Sequence, residues 1–223
     1  MKTLAAFVAG TALALSANAN IVNFSFNNSL QATEINQTGV LGLFDSALGM
    51  LTGVALNLTG SSSTLLSLTN SAPQNATAQV TGTTALFFGS SLGALSGILV
   101  NGSPLLNLSA SPGSQTIGEL ATVAFGPLLA SQTATPSVTG ILSSFSNTGG
   151  GNFNISCTSR SGLSVVGGDG QIGSTQATQA NCGGSIAYTF EPTANSVPEP
   201  TSLALMGLAL AGLGLMRRKA DKA

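Results

Sequence analysis

The 223-residue sequence contains no histidine and no tryptophan, one tyrosine and two cysteines, and only 6 % of its residues carry charge. Each shortage removes a class of chemistry. Without imidazole there is no Ser-His-Asp or Cys-His nucleophile and no histidine-ligated zinc. Between Asn20 and Ser196 the sole basic side chain is Arg160, set against the carboxylates of Glu34, Asp45, Glu119, Asp169 and Glu191, a net charge of −4. Nucleic acid is held by clustered Lys and Arg, so this segment is not expected to bind it, nor an anionic membrane surface. Glycosidase chemistry needs only two carboxylates, but no motif links these five. The chain is therefore expected not to be an enzyme and to need no cofactor or metal.

What is present is Ser, Thr, Asn, Gln and 28 glycines. They give a hydrated surface without charge, as is common in exported bacterial proteins. From Asn20 to Ser196 no convincing amphipathic helix appears. LTGVALNLTG, residues 51–60, alternates Val54, Leu56 and Leu58 with Ala55, Asn57 and Thr59, the period of a half-buried strand. Similar runs are NIVNFSF, STLLSLT, AQVTGTTALFF, PLLNLSA, ATVAFG, GNFNISCTS and GSIAYTF. SGILV before Asn101-Gly102 also reads as a strand, although residues 86–108 are apolar enough to hold a helix. Strands at this spacing predict a mainly β fold, an antiparallel β-sandwich or barrel-like domain over residues 20–196.

The ends differ from the body. MKTLAAFVAGTALALSANAN has a basic Lys2, an apolar run and the small-residue site Ala17-Asn18-Ala19, the layout of a secretory signal peptide over residues 1–19. Cleavage by signal peptidase after Ala19 leaves Asn20 first. At the other end, Pro198 and Pro200 hold Glu199 in an extended stretch, because neither proline donates a backbone hydrogen bond and each biases its predecessor away from helix. Residues 201–216 are apolar or small. As a helix they would reach roughly 24 Å, slightly less than the ~30 Å hydrocarbon core. Arg217, Arg218 and Lys219 follow at once, and the positive-inside rule keeps them cytoplasmic with the body on the far side.

The order VPEP (Val197, Pro198, Glu199, Pro200), short Leu/Ala/Gly-rich transmembrane helix, then RRK at the C-terminus closely resembles the PEP-CTERM sorting signal, over residues 197–223. The resemblance implies processing by an exosortase, a membrane-embedded transpeptidase of Gram-negative bacteria that make exopolysaccharide. The inner membrane is then a transient anchor, and the destination is the cell surface or extracellular matrix. A second resemblance, carried by FDSALGMLTGVALNLTG and by IAYTFEP at residues 186–192, is to the choice-of-anchor family of exported domains. It implies an all-β fold and no established activity.

Cys157 and Cys182 both lie in the exported part, where an oxidising compartment favours a disulfide closing a Gly/Ser/Gln-rich loop, a contribution of roughly 3 kcal/mol. Asp45 has two readings, a calcium ligand or a turn cap; one carboxylate falls short of a six- to eight-oxygen shell. GGDGQ around Asp169 resembles one copy of a calcium-binding glycine-rich repeat and reads more simply as a turn. The functional expectation is a cell-surface or matrix structural or adhesive protein associated with exopolysaccharide and biofilm. The alternative is a polysaccharide-binding, lectin-like module. Sugar rings usually stack on Trp or Tyr, and Tyr188 is the sole candidate; Phe24, Phe26, Phe87 and Phe88 read as core.

Overall fold

The computed structural model describes residues 20–99, 103–193 and Gly207. Two units divide the chain, the first ending at Glu191 and the second starting at Pro192. The first is a two-sheet β-sandwich. Its strands are β1 (Asn20–Asn27), β2 (Gln31–Ala32), β3 (Asn36–Gly42), β4 (Phe44–Asp45), β5 (Gly49–Asn70) and β6 (Ala76–Ser90). After helix α1 (Gly93–Leu99) come β7 (Leu106–Ala110), β8 (Ser114–Ile117), β9 (Thr122–Ala134), β10 (Ser146–Asn147), β11 (Asn152–Gly167) and β12 (Ile172–Pro192).

Sheet A runs β1-β12-β5-β9, with β2 also on β12; sheet B runs β3-β11-β6-β7, with β8 also on β6. β12 pairs antiparallel with β1 and β2, β5 with β9, β11 with β3 and β6, and β6 with β7 and β8, as expected; β10 and β4 form a short separate parallel pair. Contacts of β1 with β3 and of β7 with β9 curl the sheets toward each other along both sides.

LTGVALNLTG and STLLSLT are one strand, not two. Gly60 to Ser63 looks like a turn in sequence, yet β5 continues through it for 22 residues, about 70 Å of extended chain. The reason lies across the sheets: Gly60 and Ser62 point inward at buried positions and β9 pairs with them from outside the local window. Near its middle β9 carries a register shift opposite Thr64 and Leu66. Gly126 sits there with φ 116°, and a Cβ on it would lie 2.6 Å from the Thr64 carbonyl oxygen, so glycine alone fits the irregularity.

The inward residues of β5 divide the core. Leu56 and Leu58 belong to a large cluster with Leu41, Phe44, Leu86, Leu108, Phe145 and Tyr188, whereas Leu66 and Leu68 join Ala78, Val80 and Ile117 in a smaller one. Between them lies a buried polar belt of Ser62, Thr64, Thr84 and Thr178. Thr178 Oγ1 donates to Thr64 Oγ1 at 3.2 Å and receives Gln176 Nε2 at 2.7 Å, which offsets the cost of burying hydroxyls.

SGILV is not a strand. Its first four residues close α1, the helix that residues 86–108 left room for. Leu95 and Leu99, four apart, put one helical face into the larger cluster. Ser90 Oγ receives the Leu92 N–H at 3.1 Å ahead of the helix. The expected Asn101-Gly102 turn lies outside the described residues.

Candidate functional site

The two ends of the exported body meet at one place. β1 starts at Asn20, whose partner on β12 is Phe190, and the pairing continues to Asn27 and Gly183. The chain thus leaves the sandwich at the C-terminal end of β12, beside the residue where it enters. Ala17 and Ala19 lie outside the described residues, as do Val197, Pro198, Glu199, Pro200, the expected helix 201–216 and Arg217, Arg218 and Lys219. No helix among the described residues is long and apolar enough to cross a membrane.

β12 is an interior strand, flanked by β1 and β5, and it is fastened at two levels. Cys182 is disulfide-bonded to Cys157 with a Cα separation of 6.5 Å. The segment this bond closes is mostly strand, not the irregular loop that the composition suggested. The bond staples β12 of sheet A to β11 of sheet B, and the intervening residues are the distal halves of two long strands. Beside it, Gln37 accepts from the Cys182 N–H at 3.0 Å and donates to the Ser29 carbonyl at 2.9 Å.

Tyr188 makes the second fastening. Its ring is completely buried, with Phe24, Phe44 and Phe145 around it at centroid distances of 6.0, 5.9 and 6.4 Å. Its hydroxyl donates to the Gly42 carbonyl at 2.7 Å, tying the two sheets together. Burial pushes the phenol above its ordinary value of 10.0, because the phenolate would be desolvated. Tyr188 therefore cannot stack on a sugar. Of the phenylalanines read as core, Phe88 is buried and Phe24 and Phe26 pack against the large cluster. Phe87 departs from that reading: only half-buried, it lies under the Arg160 guanidinium at 5.4 Å.

Two of the five carboxylates tie elements of the fold, and the five are not gathered. Asp45 Oδ1 receives the Ala47 N–H and the Gly149 N–H, each at 2.9 Å, so the turn-cap reading holds. Glu34 reaches β11, where its Oε1 accepts from the Ser161 N–H at 2.7 Å and the Ser161 hydroxyl at 2.8 Å. Asp169 sits in the turn Gly168–Gly170 with φ 48°. Glu119 and Glu191 are exposed. Among the described residues no group of three or more Cys, Asp or Glu side chains could hold a metal ion. Sequence reasoning missed Glu34 and Gln37 as ties between elements. Both follow β2 in a polar stretch, and the partners that make them ties, Ser161 and Cys182, are more than a hundred residues away.

A depression of about 530 Å³ lies between β2, β12, β5 and β9, lined by Thr33, Ser63, Leu65, Pro127, Gln176 and Gln179 among others, with no ionised side chain.

Residues 196–219 match the family described as PEP-CTERM protein-sorting motif. The match does not reach residues 39–60, so the choice-of-anchor resemblance gains nothing from it. No curated protein matches the chain. Among solved structures, the infectious bursal disease virus Gx strain structure aligns at 9 % identity and TM-score 0.21, over 94 % of this chain and 52 % of that one; the chain thus spans about half the length of that protein. The mud crab tombus-like virus structure aligns at 9 % identity and TM-score 0.18, over 92 % and 95 %. Tobacco streak virus coat protein aligns at 12 % identity and TM-score 0.16, over 84 % and 96 %. At such TM-scores these likenesses carry no argument.

Proposed function

From a chain that carries the PEP-CTERM sorting motif at residues 196–219, which implies an exosortase-sorted extracellular protein with a transient membrane anchor, we propose a non-catalytic structural or adhesive component of the extracellular matrix. It works with exopolysaccharide in the biofilm of a Gram-negative bacterium. Signal peptidase and exosortase are its processing partners, and the inner membrane holds it between the two cleavages. The observation that carries this reading is the attachment of the sorting segment to β12. That strand has a neighbour on each side, a disulfide to the opposite sheet and a buried tyrosine. A pull along the C-terminus loads β12 in shear against β1 and β5, so many hydrogen bonds must yield together.

Mass spectrometry of the mature protein from its native cells, with and without the exosortase, tests the sorting step. A C-terminus near Val197 to Pro200 only when the enzyme is present is the expected result. A mass that retains Arg217 to Ala223 in both cells refutes it. The matrix role is tested by deleting the protein and measuring biofilm cohesion under flow; unchanged cohesion refutes that part alone.

The depression on sheet A favours a second reading, a lectin-like module. Its hydroxyl, amide and aliphatic lining suits a neutral glycan better than an acidic one. Glycan-array binding that is lost in Ser63→Trp or Gln179→Ala, and kept in Tyr188→Phe, would support it.

A further inference from the structure

Among the described residues every aromatic ring but one packs in a core cluster, and Phe87 is the exception. Its neighbours Leu86 and Phe88 are buried, so on a pleated strand the ring of Phe87 stands on the outer face of sheet B. On that ring, at 5.4 Å, lies the guanidinium of Arg160, the one basic side chain between Asn20 and Ser196. The body's single cation and its single ring outside the core thus occupy the same spot.

The strand registers place their neighbours. Arg160 pairs with Ala85 and Ala85 with Asn107, a row across β11, β6 and β7; Thr158 pairs with Phe87 on one side and Asn36 on the other. Arg160 reaches Phe87 along the diagonal, as long side chains do across a sheet. Ala85, directly opposite, ends at its methyl group, and Asn107 is exposed on β7, two strand spacings or roughly 10 Å from β11. A notch floored by Ala85 is left between guanidinium, ring and carboxamide.

No carboxylate pairs with Arg160 among the described residues. Glu34 sits on the β3 side of β11, engaged by the Ser161 N–H and by the Ser159 and Ser161 hydroxyls, whereas Arg160 leans to the β6 side. β6 and β7 contain no acidic residue. Asp169 lies past the end of β11, more than roughly 20 Å of strand from Arg160, and charges so far apart are screened at physiological salt, where the Debye length is about 8 Å. An anion approaching over β6 and β7 therefore meets Arg160 first. The ring beneath attracts the charge but leaves most of the five N–H donors free for an acceptor.

We propose that this notch binds a uronate sugar of an acidic polysaccharide. The carboxylate takes the fork of Arg160, the sugar hydroxyls meet the Asn107 amide and the Thr158 hydroxyl, and the apolar C–H edge rests on the exposed part of Phe87. One fork cannot neutralise a polyphosphate, which needs clustered cations, but it matches one carboxylate in two parallel bonds. An open sheet face suits one unit of a long chain, and contacts that are weak singly add up when many copies share one polymer. This surface is separate from the depression between β2, β12, β5 and β9. The proposal deepens the matrix reading, on which it rests for the ligand being a polysaccharide.

Full-length chain in neutral detergent micelles is passed over immobilised polygalacturonate, with the methyl-esterified polymer and polyglutamate as controls. Retention on polygalacturonate that falls as salt rises is expected, with little on either control. Arg160→Gln, a change at an exposed site, should weaken retention about tenfold or more, the loss of a charge-assisted pair. Arg160→Lys should recover part of it, since it keeps the charge without the fork. Phe87→Leu and Asn107→Ala should each weaken it less. No retention of the wild type, equal retention on the methyl ester or on polyglutamate, or unchanged retention of Arg160→Gln overturns the proposal. The retention assay decides this proposal and the cohesion assay on the deletion strain decides the matrix reading, so either can fail without the other.

Discussion

Reducing the Cys157–Cys182 bond isolates the contribution of one cross-link without changing a side chain. The two cysteines are 25 residues apart in sequence, and releasing a loop of that length returns about 3.5 kcal/mol of chain entropy to the denatured state. Both cysteines are buried, at 2 % and 0 % exposure, so reduction first requires the unfolded chain or strong reductant. For a body of this size each kcal/mol moves the melting temperature by about 2–4 °C. The reduced protein should therefore melt about 7–14 °C below the oxidised one. Differential scanning calorimetry of the two forms at one pH measures this, with free thiols counted before and after. A difference under about 1 kcal/mol, on the same conversion, would refute the reasoning: the cross-link would then not be what restrains the unfolded chain between β11 and β12.

Tyr188→Phe removes the donor to Gly42 and leaves a buried carbonyl oxygen short of a partner, which should cost about 1–3 kcal/mol in urea unfolding. The same phenol predicts alkaline sensitivity. Its folded pKa is raised above 10.0, so its contribution is complete below pH 10 and declines as pH rises above it, by up to about 1.4 kcal/mol per pH unit. Tyr188→Phe should lose that slope. Asp45→Ala should cost about 1 kcal/mol by uncapping its turn, whereas EDTA should leave the melting temperature of the wild type unchanged; a drop with EDTA would revive the calcium reading. Gly126→Ala should destabilise by more than the usual surface substitution, because a Cβ there meets the Thr64 carbonyl; a midpoint within about 0.5 kcal/mol of wild type would contradict it.

The sequence by itself determined what depends on short spacing. Alternation in LTGVALNLTG and GNFNISCTS announced strands, since side chains on a pleated chain change face at every residue. Two cysteines in an exported segment announced their own pairing, and Asp45 its turn, because capping is decided within a few residues. The order of prolines, apolar run and basic cluster announced the sorting signal, which is a linear text. Tertiary structure decided the rest. Gly60 to Ser63 reads as a turn in isolation and becomes mid-strand because β9 pairs along it. SGILV has strand composition, yet Leu95 and Leu99 gain more by filling one end of the large cluster from a helix. Tyr188 was in sequence the sole candidate for stacking on a sugar, and Phe24, Phe44 and Phe145 close around it in the fold. That β11 and β12 lie in opposite sheets, so that their disulfide is a staple, follows from register between strands far apart in sequence. No local period encodes it, since each pairing is chosen by which distant partner best buries a shared face.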